Sequence, residues 1–389
     1  GNDLYLSASG NYIADALGGG LTLAGAGLMN NAYASMHNNQ ILNSAGGGLT
    51  ATFGSITGNA VIATSGNRVN DNSGSGMTLL LGSVSGNADI SVLNSEFNGN
   101  GGPGLTLLAP SVGGTLNVVV DPTTANNNSG PGMSLTLASV GDLNLLMEDV
   151  QANGNSGPGL SVAASSASGS VQAAFIDVQA NENTGPGVSI TLVGVEGVGV
   201  LQGSLMDPDV GGSSIQANGN GGPGILLTAL SESGSVFAVS DRLEASGNSG
   251  IGANITFDGP DEVLALLGDV VANTNNGVGT SIVGISTNGS AVVGLSSLQA
   301  RDNSSSGASL ILSGLDGARA FIGTAIFPIP GQPAPGLIDV SNNGGPGLSL
   351  TAMSPDGGST VVLGDIVANN NSGPGVTGAA GGREDVTVI

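Results

Sequence analysis

Between Gly132 and Gly159 the apolar and polar positions fall into three short runs. Met133, Leu135 and Leu137 alternate with Ser134 and Thr136, a period of two that predicts a strand with one buried face. After Ala138 to Gly141, read as a turn, Leu143, Leu145 and Met147 predict a second strand. Glu148 and Asp149 read as another turn. Val150 and Ala152 then face inward on a short third strand, with Gln151 and Asn153 outward. Asn155-Ser156-Gly157-Pro158-Gly159 closes the unit. Pro fixes φ and Gly permits φ > 0, so the closing turn is expected to be type II. Helical periodicity is absent, and the density of glycine opposes helices.

The closing glycine recurs at Gly20, Gly48, Gly76, Gly104, Gly132, Gly159, Gly187, Gly224, Gly252, Gly279, Gly307, Gly347 and Gly375; ten of the twelve steps are 27 or 28 residues, and the others are 37 and 40. A period this strict means a repeat architecture. Three short strands per repeat, each stacked on its equivalent one unit away, predict an all-β fold: a single-chain parallel β-helix (β-solenoid) of about 13 rungs over residues 1–389. At about 4.8 Å per rung the expected rod is roughly 60 Å long. Inward columns agree. One residue after the anchor stand Leu21, Leu49, Met77, Leu105, Met133, Leu160, Val188, Ile225 and Leu348, weakened by Ala253, Thr280 and Ala308. Seven before it, Ile13, Ile41, Val69 and Phe97 give way to Ala125, Ala152, Ala180 and further alanines, so the interior is expected to narrow at that corner. The two long steps carry insertions near residues 203–212 and 326–336. Both are expected to leave the rod at one corner, a place for a partner contact.

Four residues before the anchor, Asn72, Asn100, Asn128, Asn155, Asn183, Asn220, Asn248, Asn275, Asn303, Asn343 and Asn371 form a column, with Ala16 and Ser44 in the first two rungs. Stacked amides hydrogen-bond along the axis, so this column is expected to be a structural ladder. Asn-x-x-Gly-x-Gly followed by alternating aliphatic residues resembles the right-handed parallel β-helix repeat of pectate-lyase-like proteins and bacterial surface proteins, over essentially the whole chain. The resemblance implies the fold. It leaves function open, because that fold hosts lyases, hydrolases, adhesins and fibres.

Composition narrows the partners. Lysine and cysteine are absent, and 28 acidic residues against five arginines give a net charge of -23. Nucleic acid, whose binding rests on neutralised phosphates, is not an expected partner, nor is an anionic membrane. No run approaches the roughly 18 apolar residues of a membrane helix. Disulfides and thiolate metal sites are excluded. Richness in Gly, Asn, Ser and Thr with few charges resembles extracellular or cell-surface proteins.

Candidate chemistry is sparse. Ten residues before the anchor lie Asp149, Asp177, Asp269 and Asp365; the first two, on adjacent rungs, would stand roughly 5 Å apart, a separation suited to a retaining glycosidase pair or a cation. Turn positions favour Asp for local hydrogen bonds, which is the simpler explanation. Asp207, Asp209, Asp258, Asp261 and Glu262 are the other acidic groupings considered for Ca²⁺, without the spacing of a calcium motif; no cofactor is implied. His37 has no histidine partner and reads as a surface residue. Two after the anchor, Thr22, Thr50, Thr78, Thr106, Ser134, Ser161, Ser189, Ser281, Ser309, Ser349 and Thr377 make an outward hydroxyl column, similar to ice-binding solenoids. Leu80, Leu108, Val283 and Ile311 interrupt the next column and point to lateral packing. Gln151, Asn153, Gln179, Asn181, Gln216 and Asn218 form an outer amide array that either stabilises the stack or pairs neighbouring rods. Asn127, Asn254, Asn288, Asn303 and Asn370 fit the glycosylation sequon.

The termini share a phase. Leu4 and Leu6 precede Gly20 by 16 and 14 residues, as Leu143 and Leu145 precede Gly159; Val386 and Val388 follow Gly375 by 11 and 13, as the same two follow Gly132. These strands are the candidate subunit contacts of a head-to-tail homopolymer. The expected function is therefore a non-enzymatic extracellular filament subunit or adhesin shaft. The competing expectations are a polysaccharide lyase or hydrolase and an ice-binding solenoid.

Overall fold

The computed structural model describes residues 2–202, 214–323 and 336–388. Its fold is an all-β parallel β-solenoid of about 13 turns with a 28-residue repeat, and there is no helix among the described residues. The chain forms two compact units. Unit 1 comprises Gly1–Ala174, Val178–Gly185 and Ser189–Gly194; unit 2 comprises Phe175–Asp177, Pro186–Val188 and Val195–Ile389.

In unit 1 one sheet is built from the strands that follow each anchor: Leu21–Met29, Leu49–Ile56, Met77–Leu81, Leu105–Val112, Met133–Ser139 and Leu160–Ser166. They pair in parallel with Leu21 beside Leu49, Leu49 beside Met77, Met77 beside Leu105, Leu105 beside Met133 and Met133 beside Leu160. The second sheet aligns Leu4, Ala32, Ala60, Ala88, Leu116 and Leu143. Unit 2 repeats the plan, aligning Val198, Val236, Val263, Ala291, Ala318, Ser359 and Val386. A 28-residue period stacks apolar on apolar, so the inward columns form a continuous core. Fully burying a Leu, Ile or Val contributes about 1.5–3 kcal/mol, and Leu49, Met77, Leu105, Met133, Leu160, Val188 and Ile225 are all 0% exposed. The corner of Ile41, Val69 and Phe97, followed by Ala125 and Ala152, is likewise sealed.

Two local expectations are corrected. In the middle rungs the second and third strands are one bent strand, Leu143–Gln151, rather than two separated by a turn. The bend is made by Asp149 at φ 50°, a left-handed residue inside a strand. The closing turn is also not type II. None of the anchor glycines has φ in the left-handed range. Their constraint is space: a Cβ on Gly132 would lie 2.6 Å from Nδ2 of Asn155 and 2.6 Å from the carbonyl oxygen of Gly159 in the next rung.

The left-handed residue instead sits five before the anchor, in all 13 rungs: Asp15, Asn43, Asp71, Gly99, Asn127, Gly154, Glu182, Gly219, Gly247, Thr274, Asp302, Asn342 and Asn370. It reverses the in–out alternation just before the ladder position and so turns that side chain inward. Asp, Asn and Gly tolerate this conformation best. The insertions near 203–212 and 326–336, apart from Gly336, lie outside the described residues, as does the partner corner expected there.

Candidate functional site

The most elaborate polar arrangement is the asparagine ladder. Asn72 donates both its backbone N–H and its Nδ2 to Oδ1 of Asn100, each at 3.1 Å. The same pair of bonds runs from Asn100 to Asn128, from Asn128 to Asn155 and from Asn155 to Asn183, at 2.8–3.1 Å. In unit 2 it runs through Asn220, Asn248, Asn275, Asn303, Asn343 and Asn371. The second Nδ2 hydrogen of Asn72 reaches the carbonyl of Ile41, and that of Asn100 the carbonyl of Val69. From Asn100 to Asn183 and from Asn248 to Asn371 each Oδ1 thus accepts two hydrogens, the full capacity of a carboxamide oxygen. The side chains are 1–2% exposed from Asn72 to Asn343. These amides hold rungs together, and at the high-numbered end Nδ2 of Asn371 is buried without a partner among the described residues. Asn303, a sequon residue, is 2% exposed within the ladder, so it offers no glycan acceptor.

A second, shorter ladder escaped the sequence reading. Asn11 donates through N–H and Nδ2 to Oδ1 of Asn39, at 3.2 and 2.8 Å, and Asn39 does the same to Asn67, at 3.1 and 2.9 Å. Each follows a left-handed residue: Gly10, Asn38 and Gly66. The same device therefore serves two corners, and the signal was an Asn nine before the anchor in the first three rungs. Position ten before the anchor, where Asp149 and Asp177 stand, is the bend residue of this corner, and both are left-handed, at φ 50° and 51°.

That placement accounts for Asp149 and Asp177 in the acidic column. Oδ1 of Asp177 accepts the Ser214 N–H at 3.1 Å. Asp269 lies within the strand Val263–Val271, not at a turn, and accepts the Ser297 hydroxyl at 2.6 Å. Asp365 is exposed in a bend. The carboxyl that does stand out is Asp121, which sequence reasoning missed: burial, and secondarily the charge of Asp149, push it above its ordinary value. Among the described residues no three His, Asp or Glu side chains converge to hold a metal; Asp258 is half-buried while Asp261 and Glu262 are exposed, and Asp207 and Asp209 lie outside the described residues. His37 Nδ1 is 3.0 Å from the Ser65 hydroxyl of the next rung, and the ring is half-buried.

The outer amides hold the stack. Oδ1 of Asn126 accepts the Asn153 N–H, Asn153 that of Asn181, and Asn218 that of Ser246, each at 2.7 Å. The hydroxyl column is in register from Thr22 through Thr50, Thr78, Thr106 and Ser134 to Ser161. Beside it a depression of about 200 Å³ opens over Pro110, Thr136, Ala138, Ala163 and Val193, without a titratable side chain. No described helix is long and apolar enough to cross a membrane. No protein-family model matches the chain, and neither a curated protein nor a solved structure matches it.

Proposed function

We propose that the chain is a non-enzymatic structural protein of the cell exterior, a β-solenoid subunit whose rungs continue head to tail into a filament or surface shaft. The observation that carries the reading is the asparagine ladder: its buried amides bind one rung to the next. The phase shared by the strands Leu4–Ser9 and Val386–Val388 fits the same logic. In the shared phase, Leu4 and Leu6 of one copy continue the columns of Val386 and Val388 of another. A composition rich in Gly, Ser and Asn, without lysine, fits an exterior fibre.

Electron microscopy and light scattering across a concentration series are expected to show filaments for the natural sequence and single particles for Val388→Asp, which places a charge in the joint. Single particles for the natural sequence at high concentration would overturn the proposal.

A further inference from the structure

In unit 2 the outward face of the second sheet carries an apolar stripe that ends in an arginine. The registers align Gly199, Phe237, Leu264, Val292, Arg319 and Thr360 side by side on successive rungs. Phe237 is 48% exposed, Leu264 and Val292 are half-buried, and Arg319 is exposed. In a chain with 28 carboxylates this column contains none; Glu262 stands two residues before Leu264 on one side, and Val239 and Leu266 occupy the next column on the other. Arg319 is also distinctive. Arg68, Arg242, Arg301 and Arg383 are each paired with a carboxylate, whereas Arg319 has no ion pair with any described residue.

We propose that two copies of the chain pair laterally through this stripe, with their strand stacks antiparallel. The order Phe237, Leu264, Val292, Arg319 occupies four consecutive rungs spanning roughly 14 Å. A two-fold axis between Leu264 and Val292 sets Leu264 of one copy against Val292 of the other. It also sets each Arg319 guanidinium over the partner copy's Phe237 ring, a cation–π contact made twice. A parallel pairing in the same register would set Arg319 against Arg319. The second copy is the occupant that the charges favour. Two chains of net charge -23 repel each other over most of their surfaces, and here they meet on a column without carboxylates that brings a cation to each end. The contact is isologous and closed, distinct from the open head-to-tail joint.

The test is sedimentation equilibrium of the full chain, with Phe237→Ser and Arg319→Glu as separate variants. Both side chains are exposed, and circular dichroism checks that the fold is retained. The natural sequence is expected to reach a dimer by about 100 µM, and each substitution to weaken it at least roughly tenfold. Val388→Asp, which blocks the head-to-tail joint, is carried in every sample, so failure of that joint does not affect the outcome. Because the chain has no cysteine, Leu264→Cys and Val292→Cys chains can be mixed and oxidised. They are expected to form a mixed disulfide far faster than either does with Thr136→Cys, placed on the other sheet of unit 1. A strictly monomeric chain, a dimer indifferent to both substitutions, or cross-linking no faster than the control would each overturn the proposal.

Discussion

Asn155 is the place to test what the ladder contributes. Its Oδ1 accepts the Asn128 N–H at 2.9 Å and the Asn128 Nδ2 at 3.0 Å, and its own Nδ2 donates to Asn183 at 3.0 Å. Asn155→Ala strands two donors on Asn128, which is 1% exposed. Each buried unsatisfied group costs about 1–3 kcal/mol. Asn183 keeps one of its two hydrogens in the bargain, the backbone N–H lying 2.8 Å away in the present structure. The expected loss is therefore about 2–6 kcal/mol, well above the roughly 0.5 kcal/mol of an ordinary surface change. Rungs couple mainly to their neighbours, so hydrogen exchange should accelerate first in the peptides around Asn128 and Asn183, alongside a lower urea midpoint. Asn155→Asp separates hydrogen bonding from packing. The shape is kept, but at neutral pH a carboxylate oxygen faces Oδ1 of Asn183 where an N–H should be. Burial and the facing acceptor favour the protonated form, so the folded pKa lies above the unfolded one. Stability is then retained below the ordinary carboxylate range and lost as pH rises through the folded value. A loss below about 0.5 kcal/mol for Asn155→Ala, or a pH-independent Asn155→Asp, would refute the reasoning.

Two further outcomes follow from single residues. Thr274 is β-branched yet holds φ 56°, a conformation that most rungs give to Asp, Asn or Gly; Thr274→Asn should raise the denaturation midpoint by the equivalent of about 0.5–1 kcal/mol, and a lower midpoint would count against the strain. Asp121 has its pKa raised from 3.8 by burial first and by the charge of Asp149 second. The folded state then binds more protons, so stability falls as pH rises through this carboxyl. Asp121→Asn should gain stability at pH 7 and match the natural chain below its ordinary value of 3.8 in parallel melts at the two pH values.

The architecture was legible because a solenoid writes its geometry as a period: Leu105, Met133 and Leu160 are 27 or 28 residues apart and lie side by side. The ladder was legible for the same reason. The turn was not, because Pro158-Gly159 has two physical explanations that look alike in one sequence. Gly159 is required by the Asn183 amide, 2.5 Å from where its Cβ would be, and not by its own φ. The left-handed position was hidden by its chemical variety, with Glu182 and Thr274 among the Asp, Asn and Gly residues. The short ladder of Asn11, Asn39 and Asn67 was too brief to stand out from a composition rich in asparagine. The stripe of Phe237, Leu264 and Val292 was invisible because alternation assigns outward positions to solvent, and only the inter-rung register shows that these outward residues are neighbours. Asp121 gave no signal, since its burial arises from folding.

All the ladder amides point the same way. Every side-chain bond between ladder amides runs from Nδ2 to the Oδ1 of the higher-numbered rung, from Asn72 to Asn183 in one unit and from Asn220 to Asn371 in the other. Parallel bond dipoles in a line add, as they do in a helix, and neighbouring bonds polarise one another. Each ladder is therefore a small electret, positive at its high-numbered end. The two faces of a rung are electrically inequivalent, and a neighbour docking on the Asn371 side is attracted if it leads with an oxygen and not with an amine.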